Sequence, residues 1–172
     1  RVLFRSRDHY HAMIDTLADL HNTDHEAIGL GDFGRPGNYF ERQVGRWTKQ
    51  YRGAETEHMP AMESLIEWLP RTLPEQTRTS IVHGDYRVDN MKFAPGTEAR
   101  VAAVLDWELC TLGDPLADVG YVGVYWNDGD AALARANDPT PAGGFPTYSS
   151  LLDRYARRTG RDLSDIDYYV DR

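Results

Sequence analysis

Cysteine is almost missing from this chain: Cys110 is the one example in 172 residues. An internal disulfide is excluded, and a single small thiol fits a reducing compartment, so a cytoplasmic protein is expected. Clusters of Lys and Arg are missing as well. The net charge is −8 with the basic residues scattered, which removes the electrostatic footprint of a nucleic-acid binder. No long apolar run exists either. The longest, around Val119 to Trp126, is broken by glycines and falls far short of the roughly 20 residues of a membrane helix. The first six residues, RVLFRS, lack the apolar core and small-residue site of a secretory signal. With 41% hydrophobic and 27% charged residues, the composition is that of a globular domain with a sizeable core.

RVLFRS is also one translation of a widely used sequencing adapter, so residues 1–6 are expected to be non-native and residues 7–172 a partial domain. The tail points the same way: the apolar pattern at Tyr168, Tyr169 and Val170 stops without a helix-ending signal.

Between those ends the periodicity is mostly helical. Tyr10, Met13, Ile14, Leu17 and Leu20 share one face of a helix over 8–21. Asn38 is placed to cap a second, with Phe40, Val44, Trp47 and Tyr51 as its stripe, and Pro60 opens a third that runs to Leu69. A small β region follows at Ile81–Val82, Met91–Phe93 and Arg100–Trp107, where VAAVLDW reads as a buried strand. Leu116–Val124 reads as a buried helix, residues 128–144 as a polar loop, and 147–159 and 164 onward as helices, with Ser164 a cap. An α+β fold with helices on both sides of a small hairpin region is expected.

The β region holds the chemistry. In IVHGDYRVDNMKF, Asp85 and Asn90 have the D-x-x-x-x-N spacing of a kinase catalytic loop, where a carboxylate takes the acceptor hydroxyl's proton and an amide holds a metal ion. The pentad alone also fits two turn residues. Asp106, sixteen residues past Asn90 at the end of AAVL, adds a second hard oxygen ligand of the kind Mg²⁺ takes. A hairpin between the two strands would return the Asp106 end to the Asp85 loop.

VHGDYRVDN, VLDWE and GDPLAD together resemble the C-terminal lobe of the aminoglycoside phosphotransferase family, kinase-like enzymes that phosphorylate small molecules. The segment GLGDFGRPGNYFERQVGRWTKQY is similar to the subgroup fused to, or encoded beside, acyl-CoA dehydrogenases, which implies association with such an enzyme. The resemblance implies Asp85 as base, Asn90 and Asp106 as Mg²⁺ ligands, His83 packing the loop and Asp118 bracing it from the helix below. Arg87 stands where kinases commonly carry Lys, and either contacts the transferred phosphate or pairs with Asp89. Glu108, in place of the glycine of a DFG motif, implies a fixed metal site.

Two patterns mislead. GLGDFG matches G-x-G-x-x-G, with Lys49 beyond it, but no strand precedes it, so it reads as a loop between helices. His21 and His25 lack a third ligand for zinc, and His21 reads as a helix-end histidine favoured by the macrodipole. A strand-borne Lys and glycine-rich loop are thus absent, which assigns them to an N-terminal lobe outside this chain. The expected activity is transfer of a phosphate from ATP or GTP to a small-molecule hydroxyl, by a longer protein and not by this chain alone. A non-catalytic nucleotide- or partner-binding module and a metal-dependent hydrolase on His83, Asp85 and Asp106 are the alternatives.

Overall fold

A computed structural model describes residues 3–96, 98–126 and 144–170. The expected polar loop 128–144 and the chain's first and last two residues lie almost wholly outside the described residues. Ten regular elements follow in order: α1 (Leu3–Asn22), α2 (Tyr39–Ala54), α3 (Pro60–Thr72), β1 (Ser80–Val82), β2 (Met91–Phe93), β3 (Val101–Val104), β4 (Thr111–Gly113), α4 (Leu116–Val124), α5 (Tyr148–Thr159) and α6 (Ile166–Val170). None of the helices described is long and apolar enough to cross a membrane.

The core forms where α1 meets α5. Met13, Ile14, Leu17 and Ala18 of α1 pack with Leu151 and Tyr155 of α5 and with Val119 and Val122 of α4. Thr147 caps α5 by accepting the Ser150 N–H, and Gly160 ends it in the left-handed conformation that glycine adopts without a Cβ penalty. The cap expected at Ser164 is a different device. Asp162 accepts the Ser164 N–H at 2.9 Å and its hydroxyl at 3.0 Å, so the carboxylate organises the turn before α6. Asn38 likewise precedes α2 without a side-chain cap; it takes a left-handed backbone, and the Tyr39 N–H goes to Gln76 Oε1 instead.

The β residues make two antiparallel pairs among the described residues, β1 with β4 and β2 with β3. The β4 strand was not legible in the sequence, because Thr111–Gly113 is too short to show an alternation. The β2–β3 hairpin is as expected, with Met91 opposite Val104. Its second strand is shorter and less buried than VAAVLDW implies. Ala102 and Ala103 are exposed, as are Leu105 and Trp107, because this two-stranded ribbon has no second layer over that face among the described residues.

GLGDFG is a loop between α1 and α2, as read. A Cβ on Gly34 would come within 2.8 Å of the Leu112 backbone nitrogen, so this glycine lets the loop lie against β4. Lys49 is exposed on α2.

Candidate active site

The loop from His83 to Asn90 hangs between the two strand pairs. Gly84 has φ 87° and a Cβ there would lie 2.8 Å from that of Leu109, so both conformation and space demand glycine in HGD. Beneath it, the buried Asp118 of α4 accepts the backbone N–H groups of His83 at 2.7 Å and Gly84 at 2.8 Å. His83 is also buried. Its Nδ1 accepts the Asp85 N–H at 3.2 Å while Nε2 donates to the Leu105 carbonyl at 2.8 Å, which puts the ring proton on Nε2 and ties the loop to the end of β3.

The same arrangement gathers the three acidic and amide positions. Asn90 Nδ2 donates to Asp85 Oδ2 at 2.8 Å and to the Asp85 carbonyl at 2.9 Å, which leaves Asn90 Oδ1 as the amide atom able to meet a cation. The Leu105 N–H donates to the Asn90 carbonyl at 2.8 Å, so the hairpin returns the chain at Asp106, the next residue, to the Asn90 end of the loop. Asp106 is exposed and left-handed, with φ 64°. That is an uncommon conformation for a residue with a side chain, though Asp tolerates it better than most. A carboxylate and an amide oxygen are both hard-oxygen groups of the kind Mg²⁺ prefers.

Asp85 itself is partly buried. Burial pushes its carboxyl up, but hydrogen bonds from Tyr121 and Asn90 and the nearby Arg87 charge outweigh it and hold it below the usual carboxylate range. Of the two roles expected for Arg87, the surface pairing with Asp89 gives way to an ion pair with Asp85, whose Oδ2 lies 3.4 Å from Arg87 Nε.

Several contributors were missed. Tyr121 donates to Asp85 Oδ1 at 2.6 Å, and burial and that carboxylate push its phenol well above the ordinary value. The signal was present: Asp118, Tyr121 and Tyr125 have the i, i+3, i+7 spacing of one helix face, the face already assigned to the loop. His21 lies in the last turn of α1, as expected, but it does more than end the helix. It is buried, with Nδ1 at 2.7 Å from the Tyr155 hydroxyl and Nε2 at 3.3 Å from Asp118 Oδ2. Burial lowers its pKa more than Asp118 raises it, so a neutral imidazole links α1 and α5 to the carboxylate under the loop. His25 is exposed.

Beside the loop, the apolar stripes of α2 and α3 face each other across a cavity of about 420 Å³. Phe40, Val44 and Trp47 line one wall and Met62, Leu65, Ile66 and Leu69 the other, while Gly84 and Tyr121 connect the cavity to the Asp85 loop. Trp47 is 51% exposed, so the core role its position in the stripe also admitted is excluded. Tyr39 is buried against Gly113, its phenol pushed up to about 12 by burial.

A helical lobe, a short hairpin and a braced Asp–Asn loop with a second Asp at the hairpin's end define a kinase-like phosphotransferase C-terminal lobe. The model of the phosphotransferase enzyme family matches residues 3–159, and the chain belongs to that family. Within it, the chain is similar to proteins that carry an acyl-CoA dehydrogenase name. Rat acyl-CoA dehydrogenase family member 11 is 39% identical over 156 residues, 89% of this chain and 20% of that protein. Mouse acyl-CoA dehydrogenase family member 10 is 58% identical over 112 residues, 65% of this chain and 10% of that protein. A Ralstonia eutropha crystal structure assigned to the aminoglycoside phosphotransferases is 49% identical, has a TM-score of 0.80, and is matched over 94% of this chain and 50% of its own. The macrolide 2'-phosphotransferase of Brachybacterium faecium, at 22% identity and a TM-score of 0.61 over 95% of this chain and 50% of its own, shares the fold. The chain thus spans half or less of the length of these relatives.

Proposed function

We propose that this chain is the acceptor-binding and catalytic half of a phosphotransferase that moves the γ-phosphate of ATP or GTP to a small-molecule hydroxyl. One observation carries the reading: a carboxylate, Asp85, is held by Asn90 and Tyr121 at the edge of an apolar cavity. In the transfer, the acceptor oxygen bonds to phosphorus, the bridging oxygen leaves with the nucleoside diphosphate, and the acceptor proton goes to Asp85. Asn90 Oδ1 and Asp106 would hold Mg²⁺, which neutralises charge on the phosphate oxygens. Arg87 adds positive charge beside the same carboxylate. His83 and Asp118 keep the loop in place.

The cavity walls favour an acceptor with a hydrocarbon body, such as a hydroxy acid or hydroxyacyl-CoA, over a polycationic aminoglycoside, which would call for carboxylates facing it. The names of the relatives favour the same class and an association with an acyl-CoA dehydrogenase. The single cysteine is in keeping with a cytoplasmic setting, and residues 1–6 with an adapter-derived origin. Genomic reads in which these codons run on from an upstream frame would remove that last point.

Two tests follow. In the full-length protein, meaning this chain joined to its upstream lobe, nucleotide consumption should depend on a hydroxy acid or hydroxyacyl-CoA and not on an aminoglycoside. Replacing Trp47 by Ala should raise the acceptor KM by about 10-fold or more, as loss of a large aromatic contact does, and leave the ATP KM unchanged. Equal effects on both constants would remove the cavity from acceptor binding. The isolated 172-residue chain should bind MgATP too weakly to detect, since the phosphate-holding Lys and glycine-rich loop are not in it. Calorimetry that finds tight Mg²⁺-dependent binding to this chain would contradict the division of labour between lobes.

A further inference from the structure

The Asp85 carboxylate has a separate holder on each oxygen. Asn90, from its own loop, donates to Oδ2 at 2.8 Å, and Arg87 lies on that side too, at 3.4 Å. Tyr121, from α4, donates to Oδ1 at 2.6 Å, and its hydroxyl stands 2.9 Å from that of Tyr125. The two rings meet edge to face with centroids 5.1 Å apart. A carboxylate held through one oxygen still rotates about its Cβ–Cγ bond, whereas donors on both oxygens from different elements fix its plane. Each oxygen also has two lone-pair directions, so a single donor leaves one of them open. Oδ2 faces the Asn90 side, where the cation ligands are. Oδ1 faces Tyr121, a residue of the acceptor cavity wall.

We propose that Tyr121 is a positioning residue for phosphoryl transfer: its hydroxyl sets the plane of the Asp85 carboxylate so that the remaining lone pair of Oδ1 receives the acceptor proton. The inference rests on Asp85 being the base. Tyr121 keeps its own proton throughout and makes no bond to phosphorus; it works through Asp85 alone. A substrate hydroxyl arriving from the cavity then meets an oriented acceptor atom, and the fixed geometry contributes to the rate without adding to substrate affinity.

The test is a two-by-two comparison in the full-length protein with ATP, Mg²⁺ and β-hydroxybutyryl-CoA. Tyr121→Phe keeps the ring and its packing on Tyr125 but removes the bond, so kcat should fall about 10- to 100-fold, the usual range for a hydrogen bond to a charged group. Both KM values should stay as in the wild type. In an Asp85→Ala background the same change should have no further effect, because no carboxylate is left to orient. Wild-type kcat in Tyr121→Phe, or an equal fall in both backgrounds, overturns the proposal. Near-wild-type turnover in Asp85→Ala alone is a different result, and it removes the base assignment underneath.

Discussion

Asp85→Asn in the full-length protein is expected to lower kcat by roughly 10² to 10⁴, the usual worth of a general base, while leaving nucleotide binding nearly intact. The amide keeps the size of the side chain and an oxygen for Tyr121, but it cannot take the acceptor proton. Asp106→Asn should behave differently. It removes the carboxylate proposed to hold the cation, so calorimetry should show weaker Mg²⁺-dependent nucleotide binding before any effect on chemistry is considered. Asn90→Ala should fall between. It loses the amide oxygen for the cation and also frees Asp85 Oδ2, and excess Mg²⁺ should restore only part of the activity. A Mg²⁺ titration of kcat and of nucleotide binding separates the three. The role assignment fails if Asp85→Asn turns over like wild type, or if Asp106→Asn leaves metal dependence unchanged.

The largest loss of stability is expected from Asp118→Ala. This carboxylate is 1% exposed and accepts from two backbone N–H groups and His21. Without it, two buried donors and one half-buried donor lose their partner together, at a cost on the order of 3 to 5 kcal/mol, comparable to breaking a buried ion pair. A domain of this size has about 5 to 15 kcal/mol in total, so urea denaturation should show a much lower midpoint or no native baseline. Asp118→Asn should be milder, since its amide oxygen still serves one of the two N–H groups while its NH₂ opposes the other. A loss below about 1 kcal/mol for the alanine variant would mean that water or a rearranged loop replaces the carboxylate.

Local features carried much of the molecule into view. The helical periodicity of α1 to α3, the helix starts at Pro60 and around Thr147, and the hairpin that returns Asp106 toward Asn90 all depend on residues close in sequence, and the structure contains them. The Asp85–Asn90 pair was legible for the same reason: five residues is one loop, and the direct bond between their side chains follows from that spacing. What stayed out of reach was whatever an element's neighbours supply. The helix-end reading of His21 holds, since α1 ends at Asn22, but it gave no sign of Asp118, 97 residues away, and Tyr155, 134 away, which hydrogen-bond to the buried ring. Burial of VAAVLDW was read from apolar character alone, whereas exposure depends on whether a second layer is present.

By itself, then, the sequence determined the Asp85–Asn90 loop, the mostly helical architecture and the family, and pointed to candidate catalytic and metal residues, because each is encoded in short-range spacing and residue type. Tertiary structure alone decided the rest. It paired the three-residue β4 with β1, set Tyr121 on Asp85, turned Arg87 to Asp85 and opened a cavity between α2 and α3 where a core had been equally compatible with the stripes. The physical reason is common to all four. An amphipathic stripe or a single polar side chain states what it requires, an apolar surface or a hydrogen-bond partner, but many partners satisfy that requirement, and only the packed chain selects which one is within reach.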